Sequence, residues 1–180
     1  MKSLKVTNYA VSWKSYFGST CTRSSYERLL SKQKISPQSI KFYSNFAVVR
    51  YRLLKIVYII FYSGHVNCTG VNSFDSILLA VNLFRKTYET AIHNFKIKAM
   101  AATSNLKSLF TCEDINRILK KNTPSVKISI VSNKFIGLMF RFSSGGAAQV
   151  FCSGKINFLG ARNFEHLHLM DSTIRRLVQI

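Results

Sequence analysis

The sequence predicts an α+β protein of two pseudosymmetric repeats, in which four helices cover one side of a ten-stranded antiparallel sheet. The first reason is a duplicated segment. Residues 46–74 and 135–164 share a serine–glycine turn, an asparagine, a glycine and a phenylalanine at an offset of 90, and an opening phenylalanine and an arginine at an offset of 89. A long repeat that occurs twice indicates a duplicated domain, not a solenoid. We therefore expect repeats at 1–90 and 91–180 that form one continuous domain.

The second reason is the pattern of short apolar runs, which alternate with turn residues in the same order in both repeats. We expect each repeat to contain a strand, a helix, a four-strand meander and a closing helix, because connections this short pair strands antiparallel. The predicted strands are 4–13, 39–43, 46–53, 56–62 and 65–69 in the first repeat, and 95–103, 126–131, 135–142, 147–152 and 155–159 in the second.

The helices are predicted from capping boxes and apolar spacing. Ser24 and Glu27 form one capping box, and Thr111 and Asp114 form its copy 87 residues later. Apolar residues at helical spacing follow each box. The first of these short helices has Tyr26, Leu29 and Leu30, and its copy has Ile115, Ile118 and Leu119; the closing helices have Ile77, Ala80 and Phe84, and Leu167, Met170 and Ile174.

The charge points to an anionic partner. The chain has 26 lysines and arginines against 7 acidic residues, a formal net charge of +19 in 180 residues, and 47% hydrophobic content. Such a field in a globular chain usually accompanies nucleic acid or a membrane surface. Few carboxylates remain for acid–base catalysis, and the sequence has no catalytic triad pattern, phosphate loop or metal-ligand spacing. We expect no enzyme, cofactor or metal.

Nothing in the sequence indicates export or a membrane span. The first 17 residues have no continuous apolar core and no small-residue cleavage site, so we expect no secretory signal. The longest apolar run, 53–62, contains Lys55 and is too short to cross a bilayer. The cysteines form no C-x-x-C pair, and we expect them to be reduced and buried in a soluble, intracellular protein. They are Cys21, Cys68, Cys112 and Cys152.

One predicted face of the sheet has no partner within the chain. Strand 56–62 places Val57, Ile59 and Phe61 on one face and further apolar residues on the other. Helices on one side can bury only one of these faces, so the second is covered by a dimer or an enclosing fold, or it binds a partner. Cations flank this face, as expected for a surface that contacts a nucleic-acid groove. They are Arg50, Arg52, Arg141 and Lys155.

These motifs resemble the conserved core of the TATA-box-binding protein (TBP) family, over residues 4–177. That family has patterns similar to F-A-A-V-I-M-R and I-F-S-S-G-K-x-x-x-T-G in each half. This chain reads FAVVRYR and IFYSGHVNCTG in the first repeat, and FIGLMFR and VFCSGKINFLG in the second. The resemblance implies a saddle-shaped sheet with helices on its convex face. Its concave face would bind the minor groove of A/T-rich promoter DNA in transcription initiation.

The resemblance also implies roles for individual residues. Phenylalanines in each half would wedge into base steps and kink the duplex, while basic residues would meet phosphates. The wedge positions are Phe46, Phe61, Phe135 and Phe151; the phosphate positions are Arg52, Arg141 and Lys155, with His65 where the family has a lysine; Asn8 and Thr69 keep the family's polar groups, and Val57 and Ile59 lie on the same face.

The chain departs from the family pattern at several positions. Ala99 and Leu159 replace the second copies of the asparagine and threonine. Asn67 and Asn157 replace groove-floor valines; they either donate to adenine N3 and thymine O2 or only cap strand ends. The family's acidic docking loop is replaced by 130–133, which puts binding of the usual general transcription factors in doubt. This divergence suggests a viral or fast-evolving lineage.

Two alternatives remain open. In the first, the same fold is a protein-interaction module whose concave face binds a polypeptide or, in a DNA-free homodimer, a second copy. In the second, the chain is the substrate-docking partner of a nuclease or glycosylase. The expected partners are double-stranded DNA, with general transcription factors or RNA polymerase components as further candidates. The expected location is the nucleus or the site of viral transcription, and we expect no membrane partner.

Overall fold

The computed structural model describes residues 4–15, 24, 27–28, 39–106, 109–132 and 135–178. Within these residues lie ten strands and three helices with defined ends. The strands are β1 (Lys5–Lys14), β2 (Ser39–Phe42), β3 (Phe46–Tyr51), β4 (Ile56–Phe61), β5 (His65–Val71), β6 (His93–Asn105), β7 (Val126–Ser132), β8 (Phe135–Phe142), β9 (Ala147–Phe151) and β10 (Lys155–Ala161). The helices are α1 (Phe74–Tyr88), α2 (Cys112–Leu119) and α3 (Phe164–Val178).

The strands form one ten-stranded sheet in the order β2-β3-β4-β5-β1-β6-β10-β9-β8-β7. Consecutive strands within each meander pair antiparallel, as the short turns require. The predicted α+β class and ten-stranded antiparallel sheet are therefore confirmed.

The helix count differs from the prediction of four. Three helices have defined ends among the described residues. The fourth predicted helix rests on Tyr26, Leu29 and Leu30, which lie outside the described residues. Ser24 and Glu27, on either side of Tyr26, are helical.

Contacts divide the chain into two compact units. The first unit is Asn8–Lys98, and the second comprises Met1–Thr7 with Ala99–Ile180. Each unit has its own aromatic or aliphatic core beneath a 15-residue helix, α1 in the first and α3 in the second.

Trp13 lies at the centre of the first core and is fully buried. Its ring centroid is 5.1 Å from that of Phe84 on α1 and 6.1 Å from that of Tyr58 on β4, both in edge-on arrangements. The Tyr58 hydroxyl donates a 2.7 Å hydrogen bond to the carbonyl oxygen of Ala80 in α1. The predicted apolar stripe of α1 therefore faces the sheet, and it fixes which side of β4 the helix covers.

The second core has the same arrangement with different side chains. Phe140 on β8 and Phe158 on β10 are fully buried. The predicted stripe of α3, Leu167, Met170 and Ile174, is also fully buried. Arg175 on the same helix bonds Asp171 at 2.8 Å and the Ser104 hydroxyl of β6 at 2.7 Å, which ties the end of α3 to the sheet.

The predicted capping box of α2 is confirmed. The Thr111 hydroxyl accepts from the Asp114 amide at 3.2 Å, and the Asp114 carboxylate accepts from the Thr111 amide at 2.9 Å. These bonds lower the pKa of Asp114. The box satisfies two amides that a helix start leaves without partners, which explains why α2 begins at Cys112.

Alkaline pH should destabilise the first unit. Burial raises the pKa of Tyr58 far above its usual value and that of Cys68 to about 12. Both groups ionise more readily in the unfolded chain, near pH 10 and about 8.5. The two neutral side chains therefore contribute fully to the free energy of unfolding below about pH 8.5. This contribution is lost as the pH rises towards 12. The urea midpoint of the wild type should fall over this range.

Tyr58→Phe is the matched variant for this prediction. It should cost about 1 kcal/mol at neutral pH through the lost hydrogen bond. Its urea midpoint should then fall less steeply than that of the wild type above about pH 10. Parallel pH profiles for the two proteins would show that Tyr58 ionisation does not couple to folding.

Candidate nucleic-acid interface

The side of the first unit turned away from α1 is only half covered. Along β4, Ile56, Tyr58 and Ile60 are buried, whereas Val57, Ile59 and Phe61 between them are partly exposed. Because Tyr58 bonds to α1, the alternating residues lie on the opposite side. The predicted split of β4 into two apolar faces is confirmed. We call this surface the first open face: Phe46, Arg50, Val57, Ile59, Phe61, His65, Asn67 and Thr69, together with Val48, which lies on the same side of β3 but is buried.

Strand register sets these residues in rows. One row joins Val48, Ile59 and Asn67, and the next joins Arg50, Val57 and Thr69. Directly paired residues on one face lie within reach of each other. The first open face therefore has an apolar middle on β3 and β4, with polar groups along β5.

An aromatic cluster closes one end of the first open face. Phe46 and Phe61 are directly opposite in the β3–β4 ladder, and their ring centroids are 5.6 Å apart at 45°. The His65 ring lies 6.3 Å from Phe61. Three sequence-predicted site residues thus meet here. Arg52, a fourth, lies in the exposed turn after β3.

Asn8 and Thr69 are joined by hydrogen bonds. The Asn8 amide nitrogen donates to the Thr69 hydroxyl at 2.9 Å, and the Asn8 amide oxygen accepts from the Gly70 backbone N–H at 2.9 Å. The register of β1 and β5 shifts beside this point, between Tyr9 and Val11. One hydrogen of the Asn8 amide remains for an outside acceptor. The two residues therefore form one fixed polar group.

A shallow cavity of about 450 Å³ adjoins that polar group. His65, Asn67 and Thr69 line it together with Lys98 from β6, beside the apolar surface of Ile59. The predicted site omits Lys98. The sequence pattern that could have predicted Lys98 is the alternation of Lys96 and Lys98 within β6. This alternation places successive cations on one side of the strand.

The second unit has a corresponding open face. Along β9 and β10, Ala148, Val150, Ile156 and Phe158 are buried, and the residues between them are partly or fully exposed. We call this surface the second open face: Lys127, Ser129, Met139, Arg141, Ala147, Gln149, Phe151, Lys155, Asn157 and Leu159. Asn157 is paired with Thr103 and Gln149, so the predicted asparagine lies inside a polar row and not at a strand end.

Two cations meet on the second open face. Lys127 of β7 lies directly opposite Arg141 of β8, and both are exposed. Like charges in a direct cross-strand pair repel, so such a pair favours a bound anion. Lys127 was not predicted as a site residue. Neither open face, as defined by its residues, contains a carboxylate.

The two β-hairpins differ in register. Phe46 is opposite Phe61 in the first unit, but the residue opposite Phe151 is Gly137. Phe135 lies two residues earlier and pairs with Ser132 of β7. A Cβ added at Gly137 would lie 3.0 Å from the Val150 carbonyl oxygen.

The arginines differ in the same way. In the second unit, Arg141 pairs with Ala147. The corresponding pair in the first unit is Arg50 with Val57, so Arg50 is the strand counterpart of Arg141. Arg52 lies beyond that position in the turn. Offsets counted along the sequence therefore do not coincide with positions counted across the strands.

Neither a metal cluster nor a membrane span is found in the part of the chain described. No group of three His, Cys, Asp or Glu side chains there could hold a metal ion. None of the described helices is long and apolar enough to cross a bilayer.

The chain was compared with known protein families, sequences and structures. No protein-family model matches the chain. The TATA-box-binding protein of Methanococcus aeolicus is 26% identical over 132 residues, which cover 69% of each chain. The structure is similar to Methanococcus jannaschii TBP with a TM-score of 0.77 and 22% identity, over 98% of each chain. At that identity the structural likeness establishes the fold.

Proposed function

Because the chain is a divergent TBP-like protein, we propose that it binds the minor groove of A/T-rich duplex DNA through its two open faces. In this role it acts in transcription initiation. Its place of action is the nucleus or the site of viral transcription. General transcription factors or RNA polymerase components are the further partners.

One observation carries this proposal. Each unit presents a strand face, opposite its long helix, whose middle is apolar and whose cations have no carboxylate among them. Phosphates require cations at the edges, and sugars and base edges accept apolar and hydrogen-bonding contacts in the middle. The net charge of +19 supplies the long-range attraction.

The minor groove suits the polar residues available. A·T pairs present only acceptors there, adenine N3 and thymine O2. Asn67 and Asn157, each half-buried on its open face, provide amide donors for them. Asn8 provides one more donor, held in place by Thr69.

Phenylalanine wedges are the second part of the proposal. Apolar side chains inserted between base steps from the minor groove unstack them and kink the duplex. This mechanism belongs to the TBP family, and we carry it to Phe46, Phe61, Phe135 and Phe151. The half-exposed, adjacent rings of Phe46 and Phe61 support it in the first unit.

Inosine substitution tests the choice of groove. An I·C pair has the minor-groove acceptors of A·T but the major-groove pattern of G·C. We expect a site obtained by selection from random duplexes to keep its affinity when A·T pairs become I·C. A loss of binding on I·C as large as the loss on G·C would place the protein in the major groove, where I·C and G·C present the same groups.

The salt dependence tests the choice of partner. Among the described residues, eight lysines and arginines lie on or beside the two open faces: Lys14, Lys41, Arg50, Arg52, Lys98, Lys127, Arg141 and Lys155. If each neutralises a phosphate, log K should fall with log salt at a slope of about −7. The double variant Lys127→Gln with Arg141→Gln should make that slope shallower by about 2.

The matched control lies on α1. Arg85→Gln with Lys86→Gln removes the same charge from exposed positions of the helix. It should leave the slope close to that of the wild type. Weak binding to DNA with little salt dependence would instead favour the protein-interaction module, with a polypeptide or a second copy on the open faces.

A further inference from the structure

An additional aromatic ring lies beside the Phe46–Phe61 pair. Tyr43 follows directly after β2, and its ring stacks on that of Phe46, with centroids 4.6 Å apart and planes 18° from parallel. The side chain is 42% exposed, although stacking on Phe46 covers one of its faces. Tyr43, Phe46, Phe61 and His65 thus form a continuous row of rings at one end of the first open face.

Hydrogen bonds hold Tyr43 in this position. Its backbone N–H donates to the Phe46 carbonyl oxygen at 2.8 Å across the Ser44–Asn45 turn. Its own carbonyl oxygen accepts a 2.9 Å bond from the Tyr62 hydroxyl. Tyr62 also donates its N–H to the Asn45 carbonyl oxygen at 3.2 Å. The turn and the stacked ring are therefore fixed to the strand that carries Phe61.

Among the residues that the structure describes, the second unit shows no counterpart of this support. The residue opposite Phe151 is Gly137, which has no side chain. Residues 131–134, which lead into Phe135, contain no aromatic residue. The sequence before Phe135 therefore has no aromatic residue where Tyr43 precedes Phe46, and this difference breaks the pseudosymmetry of the repeats.

We propose that Tyr43 is a DNA-contacting residue that also positions Phe46, so that the first unit makes the larger kink. This inference rests on the proposed function. A stacked neighbour limits the orientations of the Phe46 ring before binding, which lowers the entropy lost when the ring meets a base step. The exposed side of Tyr43 extends the apolar surface on which a displaced base can stack.

Three variants of Tyr43 separate its possible roles. Tyr43→Phe keeps the ring and removes the hydroxyl, Tyr43→Leu keeps apolar volume without a ring, and Tyr43→Ala removes both. End-to-end energy transfer on a dye-labelled A/T-rich duplex reports the bend, and 2-aminopurine fluorescence reports unstacking at each kinked step. Urea unfolding of each variant reports whether it is folded.

We expect Tyr43→Ala and Tyr43→Leu to weaken binding about tenfold and to reduce unstacking at one step only. Tyr43→Phe should keep the affinity and the unstacking at wild-type levels. A role of Tyr43 through its hydroxyl would instead make this variant weaker. Phe74→Ala removes an exposed ring from α1 and should change neither.

The failures are distinguishable. Suppose that the wild type bends the duplex and that the folded Tyr43→Leu variant bends it as much as the wild type does, with the same unstacking at each step. This inference is then wrong and the proposed function stands. If the wild type bends no duplex at all, the proposed function fails and the inference fails with it.

Discussion

Replacing Phe61 and Phe151 together by alanine is expected to remove most of the DNA bend while nonspecific affinity changes by about threefold at most. The kink requires a ring in the base step, and unstacking a step costs a few kcal/mol that the additional contacts of the bent duplex with the protein offset. Nonspecific affinity depends on the cations, which the double variant retains. Energy transfer across a labelled duplex measures the bend, and titration with random-sequence duplex measures the affinity.

Two other phenylalanines provide a matched control. Phe74 and Phe164 begin α1 and α3 and are 56% and 43% exposed. Their double alanine variant removes the same side chains from equivalent positions of the two repeats, away from the open faces. It should bend DNA like the wild type. Equal bending by the Phe61/Phe151 variant would refute the wedge.

Gly70→Ala is expected to destabilise the first unit by about 4 kcal/mol or more, near the top of the range for single substitutions. Gly70 has φ +89°, and a Cβ there would overlap the backbone carbonyl oxygen of Lys55. A backbone atom within a hairpin turn cannot move without breaking strand pairing. The substitution should also displace the Asn8 amide, which accepts from the Gly70 N–H.

Gly160 is the same position in the second repeat and supplies the control. It has φ +76°, and the nearest atom to an added Cβ is the Gly146 Cα at 3.4 Å, an ordinary contact. Gly160→Ala should cost only the left-handed backbone penalty of about 1–2 kcal/mol. Urea unfolding of both variants tests the difference. Equal losses would mean that backbone conformation, not the contact with Lys55, determines the requirement for glycine at position 70.

Alternation along β4 explains why the sequence was sufficient to predict the open face. Val57, Ile59 and Phe61 fall on one side of any extended strand, whatever the rest of the chain does. The duplicated turns then fixed the strand order within each meander, because connections this short leave no other pairing. Helix α2 was predictable for a similar reason, since its capping box lies within four residues.

Positions set by pairing between strands were not predictable. The sequence aligns Phe46 with Phe135 and Arg52 with Arg141, whereas the ladders align Phe46 with Gly137 and Arg50 with Arg141. The turns 52–55 and 143–146 are equally long, but the first ladder ends at the pair Tyr51–Ile56 and the second at Arg141–Ala147. A sequence offset does not record where a ladder stops. Lys98 was missed because its neighbours come from strands distant in sequence, and Lys127 because its place opposite Arg141 depends on the register of the β7–β8 ladder.

The hydrogen bonds around Asn8 show the same limit at the level of one side chain. The resemblance to the TBP family implied a base contact for this residue. Its fixed orientation arises from Thr69 and Gly70, which are 61 and 62 residues away. A single sequence gives no information about contacts of that range, so preorganisation of the amide emerges only from the fold.

Photo-cross-linking tests most directly whether the open faces receive the duplex. A photoreactive p-benzoylphenylalanine replaces Phe61 on the first open face in one variant and Phe74 on α1 in another, so that an aromatic ring replaces an aromatic ring in both. Irradiation with A/T-rich duplex should attach DNA at position 61 and not at position 74. Cross-linking at position 74 alone would place the DNA on the helical side and contradict the account.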